Sequence, residues 1–161
     1  MQQEVKQIFT RRIVESNRSE LIVVLFDILD CYIQEALDRY HKTGTMTDAR
    51  ESLRYAALVL EHLKDDLDFG TDSRLCGQLF SIYDYCQRQI AKSLYQNRED
   101  GVMEVQKLMA QLRTSFEQVA KEDDSEPLLD HKDNRVAGYT YGRNDVTETS
   151  TNYDPNRGFL V

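Results

Sequence analysis

The chain has 161 residues, 40% of them hydrophobic and 30% charged, with a net charge of -8 and a pI near 4.9. This fits one soluble helical domain, and the acidic balance excludes nucleic acid as the natural partner, because phosphate binding needs clustered Lys and Arg. The longest apolar run, Leu21 to Phe26, is far short of the ~20 residues that span a bilayer, and MQQEVKQ at the N-terminus lacks the regions of a signal peptide, so a cytoplasmic protein with no membrane insertion is expected.

Residues 1–14 carry Val5, Ile8, Phe9, Arg12 and Ile13, a short amphipathic pattern. It reads either as a frayed N-terminal turn or as a detachable segment lying in an apolar groove. Residues 1–18 are therefore set apart from the helices after them.

The first long helix is expected from Ser19, as its N-cap, to Tyr40. Its apolar residues, from Leu21 through Leu25, Ile28, Tyr32 and Ile33 to Leu37, cover an arc of about 240°, where an amphipathic helix needs about 100°. Only Asp27, Asp30, Gln34 and Asp38 keep a solvated strip. Such a helix must be touched on several sides.

Gly44 suits the end of that helix and Thr47 the cap of the next, from about Asp48 to Asp68, with its core stripe at Leu53, Ala56, Leu60, Leu63 and Leu67. Gly70 is the next stop signal, followed by Asp72 or Ser73 as a cap. The third helix, about Arg74 to Gln96, shows two apolar rows. Leu75, Leu79, Ile82, Cys86 and Ile90 form one; Cys76, Phe80, Tyr83 and Leu94 form the other, with Tyr85 standing apart. Gly77 is positioned to admit another backbone closely. A fourth helix, about Val102 to Lys121, carries one conventional stripe. Short connections make consecutive helices antiparallel, so residues 19–122 are expected to be an all-α, antiparallel four-helix bundle.

From Asp123 the chain holds both of its prolines and no helical period. Residues 123–161 read as an extended or disordered tail, with aromatic islands around Tyr139, Tyr141 and Phe159. A spacer predicts that its removal leaves thermal stability unchanged; a docking tail predicts a loss.

No catalytic or cofactor chemistry is legible. Cys31, Cys76 and Cys86 are scattered, as are His41, His62 and His131, and no Glu-x-x-His or metal-ligand spacing occurs. The cysteines are expected to be free, slowly reacting thiols. His62 invites comparison with histidine phosphotransfer domains, but Asp65 and Asp66 follow it and would oppose an incoming phosphoryl group. What remains is surplus apolar surface, which marks a site for another chain. A helical binding protein is the result, either for a specific client or as an adaptor for some other helix.

Phe9, Arg18-Ser19-Glu20-Leu21, Leu25-Phe26-Asp27 and Ile82-Tyr83-Asp84-Tyr85-Cys86-Gln87-Arg88 stand in an order that resembles the flagellin-specific export chaperones, the FliS family. The likeness runs from about Ile8 to Glu122. The family's cap proline is missing, phenylalanine replaces tyrosine at Phe9 and Phe26, and the tail is longer than in many relatives. The resemblance implies a non-catalytic, cofactor-free four-helix bundle in the cytoplasm. It would bind the C-terminal segment of flagellin, prevent its early polymerisation and deliver it to components of the export apparatus. It also implies an N-terminal cover over the groove. Combined with the surplus apolar surface, it puts the expected partner-binding residues at Ile8, Phe9, Leu25, Phe26, Leu79, Phe80, Ile82, Tyr83 and Tyr85. Tyr83 is the expected aromatic anchor, and Ile8 and Phe9 the cover.

Overall fold

Residues 1–129 are described by a computed structural model. They form five helices and, among the described residues, no strand: α1 Gln3–Glu15, α2 Arg18–Thr43, α3 Met46–Asp65, α4 Ser73–Gln96 and α5 Asp100–Glu122. α2 packs on both α3 and α5, α3 packs on α4, and α4 packs on α5, which closes a ring; α1 packs on α2 alone. The wide apolar arc of α2 therefore has three helical neighbours. The N-terminal residues, read as a frayed turn or a detachable segment, are a helix of 13 residues.

Local chemistry sets the boundaries. Asn17, not Ser19, caps α2: its side chain accepts the Glu20 N–H at 2.9 Å, and the Glu20 carboxylate accepts the Asn17 N–H at 3.0 Å. This reciprocal box satisfies two of the amide donors that a helix start leaves without partners. Ser19 lies within the first turn, and its hydroxyl donates to the Asp123 carboxylate. α2 ends on Gly44, whose φ of 72° is the left-handed conformation in which glycine avoids a side-chain clash. Thr45 rather than Thr47 caps α3, and α3 stops at Asp66, ahead of Gly70. Asp72 caps α4 as expected, accepting the Leu75 N–H at 2.9 Å.

The core is built from steps that alternate between three and four residues. In α2 these are Phe26, Leu29, Ile33 and Ala36; in α4 they are Cys76, Leu79, Tyr83, Cys86, Ile90 and Ser93. α3 contributes Met46, Ala49, Leu53, Ala56, Leu60 and Leu63, and α5 contributes Val102, Val105 and Met109. That spacing keeps one seam of each helix facing its neighbours along its whole length. Gly77 plays no part in close packing, since a Cβ there would meet nothing within 4 Å. The close approach lies at Gly101, where a Cβ would stand 2.6 Å from Ser93 Oγ and 3.0 Å from the Gln89 carbonyl oxygen, so α4 and α5 touch there because the side chain is absent.

Polar contacts tie the ends of the ring. Asn97, with φ 55°, terminates α4; its side chain accepts the Met46 N–H at 2.7 Å and donates to the Gly44 carbonyl at 3.3 Å. Its own carbonyl accepts the Tyr40 hydroxyl at 3.4 Å. At the opposite end the Asn17 amide donates to the carbonyls of Asp123 and Ser125 at 2.9 and 3.4 Å, and the Leu128 N–H donates to the Ser16 carbonyl at 3.1 Å. The segment read as a tail thus begins with residues bonded to the α1–α2 junction. Its aromatic islands at Tyr139, Tyr141 and Phe159 lie outside the described residues.

Candidate partner-binding site

α1 is held differently from every other helix. None of its residues is fully buried, and Ile8 is 60% exposed. Phe9 is half-buried, with the Arg12 guanidinium 5.7 Å from its ring centroid. Arg12 Nη2 then reaches Asp27 Oδ2 on α2 at 2.7 Å, while Arg113 Nε of α5 takes Oδ1 at 2.5 Å and Arg113 Nη1 continues to Glu117 at 3.2 Å. Near its other end, the Met1 amine lies 2.7 Å from Glu35 Oε2, whose other oxygen takes Arg39 at 2.9 Å. A bundle-facing apolar stripe and two charged fastenings therefore share the work of seating α1.

Burial pushes the Asp27 carboxyl up, but the hydrogen bonds and charges of Arg113 and Arg12 outweigh it, so its pKa lies below the ordinary aspartate value. Glu35 follows the same pattern, burial opposing and the Met1 amine and Arg39 prevailing. Asp27 had read as part of a solvated strip; two arginines from two other helices claim it instead. The sequence signal was slight, because Arg12 lies 15 and Arg113 86 positions away in the chain. No local periodicity spans such separations.

Beneath and beside α1, an open cavity of about 480 Å³ is lined by Arg12, Glu15 and Ser16, by Glu20, Val23 and Val24 of α2, and by the end of α5 at Glu117, Ala120 and Lys121. Val23 and Val24 are buried yet lie outside the main core cluster. A second cavity of about 210 Å³ sits between Met1, Lys6 and the α2–α3 edge, where Tyr32 stacks on Tyr55 at 5.1 Å. α1 covers apolar surface without sealing it.

The expected partner residues do not share one surface. Phe26, Leu79 and Tyr83 are core residues: Tyr83 is 1% exposed, and Phe26 packs on its ring at 6.5 Å and on Phe116 at 5.5 Å. Tyr83 and Phe80, placed in one row by the sequence reading, point to different environments, since Phe80 is 43% exposed with Lys64 Nζ 5.3 Å from its ring. The alternation of three and four residues turns Tyr83 inward with Leu79 and Cys86, and it leaves Phe80 outside. Leu25, Ile82 and Tyr85 are half-buried, and the Tyr85 hydroxyl donates to Glu104 at 2.8 Å. Ile8 and Phe9 sit on a helix whose backbone packs on α2 and not on α4.

His62 is exposed on α3 beside the 3.1 Å Glu61–Lys64 ion pair. Among the described residues no group of three or more His, Cys, Asp or Glu is placed to hold a metal, and no helix is long and apolar enough to cross a membrane. Burial pushes the Cys86 thiol up to about 12, with Glu104 adding to the shift. What the described residues offer is partly covered apolar surface around α1 and α2.

A family model described as flagellar protein FliS matches residues 1–123, which takes in all five helices. No curated protein matches the chain.

Proposed function

Because the chain belongs to the flagellar protein FliS family, we propose that it is a cytosolic, non-enzymatic export chaperone that binds the C-terminal segment of flagellin. It holds that segment back from premature polymerisation and hands it to the flagellar export apparatus. The ring of α2–α5 is read as an antiparallel four-helix bundle, supported by contacts that gather the end of α2, the start of α3 and the end of α4 around Asn97.

The observation that carries the reading is the seating of α1: a helix with no fully buried residue packs on α2, and its end lines an open cavity together with Val23 and Val24. A flagellin segment ordered on capture loses conformational entropy, and only a sizeable apolar surface offsets that cost. α1 occupies such a surface in the free chain, and flagellin takes its place. Ile8 and Phe9 are then the cover, the α2 face at Val24 and Asp27 is the groove, and Leu25 lies on its flank. Phe80, Ile82 and Tyr85 offer further surface on α4, while Phe26, Leu79 and Tyr83 support it from inside the ring.

Titration calorimetry with a flagellin C-terminal peptide tests this directly. One-to-one binding is expected, and it should tighten when residues 1–14 are removed, because a competing cover leaves only a fraction of molecules competent to bind. No binding at tens of micromolar overturns the chaperone reading. Unchanged affinity after truncation overturns only the cover.

A further inference from the structure

Among the described residues α1 occupies this groove, and its chemistry describes what the groove accepts. Glu20, Val24, Asp27, Cys31 and Glu35 recur on α2 at intervals of three and four, which sets them on one helical face. Asp27 is the most enclosed charge of that face, its side chain 19% exposed. One of its oxygens is committed to Arg113 within the ring, and the other is answered by Arg12 from α1. When α1 leaves, Arg113 stays and the second oxygen faces the vacated groove. An apolar segment laid there would strip water from that oxygen and return no donor, which is unfavourable for a charged group. A cationic side chain would restore both the charge and the hydrogen bond.

Resting on the chaperone reading above, we propose that Asp27 selects the partner: the segment that replaces α1 is an amphipathic helix presenting one Lys or Arg to Asp27 Oδ2. Its apolar side chains fall where Phe9 and Ile13 fall, three residues before that cation and one after it. Arg12 is the resident version of the ligand's cation, and Phe9, under its guanidinium, holds it in line. Selection comes from a largely enclosed carboxylate, its side chain 19% exposed, which penalises a wrong partner more than it rewards the right one.

Hydrogen exchange on the full chain tests the resident half of the proposal. Arg12→Met should speed amide exchange across residues 3–15 about tenfold, the scale expected on losing a hydrogen bond to a charged group. The amides of α4 should be unaffected, Arg12→Lys should restore protection, and adding Asp27→Asn to Arg12→Met should produce little further change. Unaltered exchange in Arg12→Met overturns the proposal. The partner half is read by calorimetry with flagellin C-terminal peptides in which each Lys or Arg is replaced in turn by Met. One replacement should cost about tenfold in affinity for the wild-type chain and nothing for Asp27→Asn. A parent peptide that binds while every such replacement is neutral overturns the selection. A parent peptide that fails to bind overturns the chaperone reading instead, and the exchange result then decides alone whether Asp27 reads the cation in its groove.

Discussion

α1 and α4 are both amphipathic helices with aromatic residues on their apolar faces, and they are held in opposite ways. α4 has neighbours on two sides and buries Leu79, Tyr83, Cys86 and Ile90 among them. α1 has one helical neighbour and no fully buried residue, and charged contacts near each end fasten it down. A fully buried apolar side chain contributes roughly 1.5–3 kcal/mol, whereas a partly exposed ion pair contributes about 1 kcal/mol or less. The difference teaches that an apolar stripe shows only that a helix can be buried. How many neighbours meet that stripe decides whether the helix is a fixed part of the fold or an exchangeable one.

The sharpest way to break this comparison is to truncate a residue in each helix. Tyr83→Ala should cost about 3–5 kcal/mol in urea unfolding, as aromatic truncations in cores do, while Ile8→Ala should leave the midpoint nearly unchanged. Equal effects would mean that α1 is as integral as α4. Because Tyr83 is core, any loss of flagellin binding in Tyr83→Ala has to be read beside its stability.

A smaller effect is expected at the junction of the two regions. Asn17→Ala removes the cap of α2 together with the bonds to Asp123 and Ser125, and should cost about 0.5–2 kcal/mol by thermal unfolding. Comparing a chain ended at Leu129 with one ended at Glu122 isolates the strand of contacts at residues 123–128. The shorter chain should lose about 1 kcal/mol. Identical midpoints would return that stretch to the role of spacer.

Acid sharpens the comparison further, since Asp27 and Glu35 both have lowered pKa values and both hold α1. A lowered carboxyl contributes its stability above its ordinary value, near 3.8 for Asp27 and 4.5 for Glu35, and loses it as pH falls through the depressed value. Exchange across residues 3–15, corrected for intrinsic rates, should therefore rise as pH drops below about 4, with α4 still protected. Joint opening of the two helices would contradict a separable α1. The least effect on the fold comes from thiol labelling at pH 8: half-buried Cys31 should react before Cys86, whose thiol burial raises to about 12. Rapid labelling of Cys86 in the native chain would show that α4 opens as readily as α1.

How much of the molecule is legible in its sequence depends on the range of the interaction. The stripe Leu53, Ala56, Leu60 and Leu63 and the caps at Gly44 and Asp72 arise from residues within a few turns of one another, and all were legible. The fate of Phe26 and Tyr83 was not. Several apolar residues share the flank of α2 and of α4, and only the alternation of three and four residues, running on to Ser93, separates the seam from its neighbours. A reading that counts serine as polar ends that seam early. Ser19 was the conventional cap, yet Asn17 takes the role because Glu20, three residues on, completes the reciprocal pair. Asp27 was beyond reach altogether, because its partners come from the first and last helices.

Seams with alternating three- and four-residue spacing nearly repeat every seven residues, so two such helices could slide past each other by about 10 Å and still match apolar side chains. Asn97 has no such second position. Its left-handed backbone and its amide engage Gly44, Met46 and Tyr40 together, groups found only at the α2–α3 turn. Slippage of α4 by one repeat would leave the Met46 N–H and the Asn97 amide without partners while restoring nearly all of the greasy contact. The core makes the helices adhere, and the Asn97 amide is among the contacts that tell them where to stop.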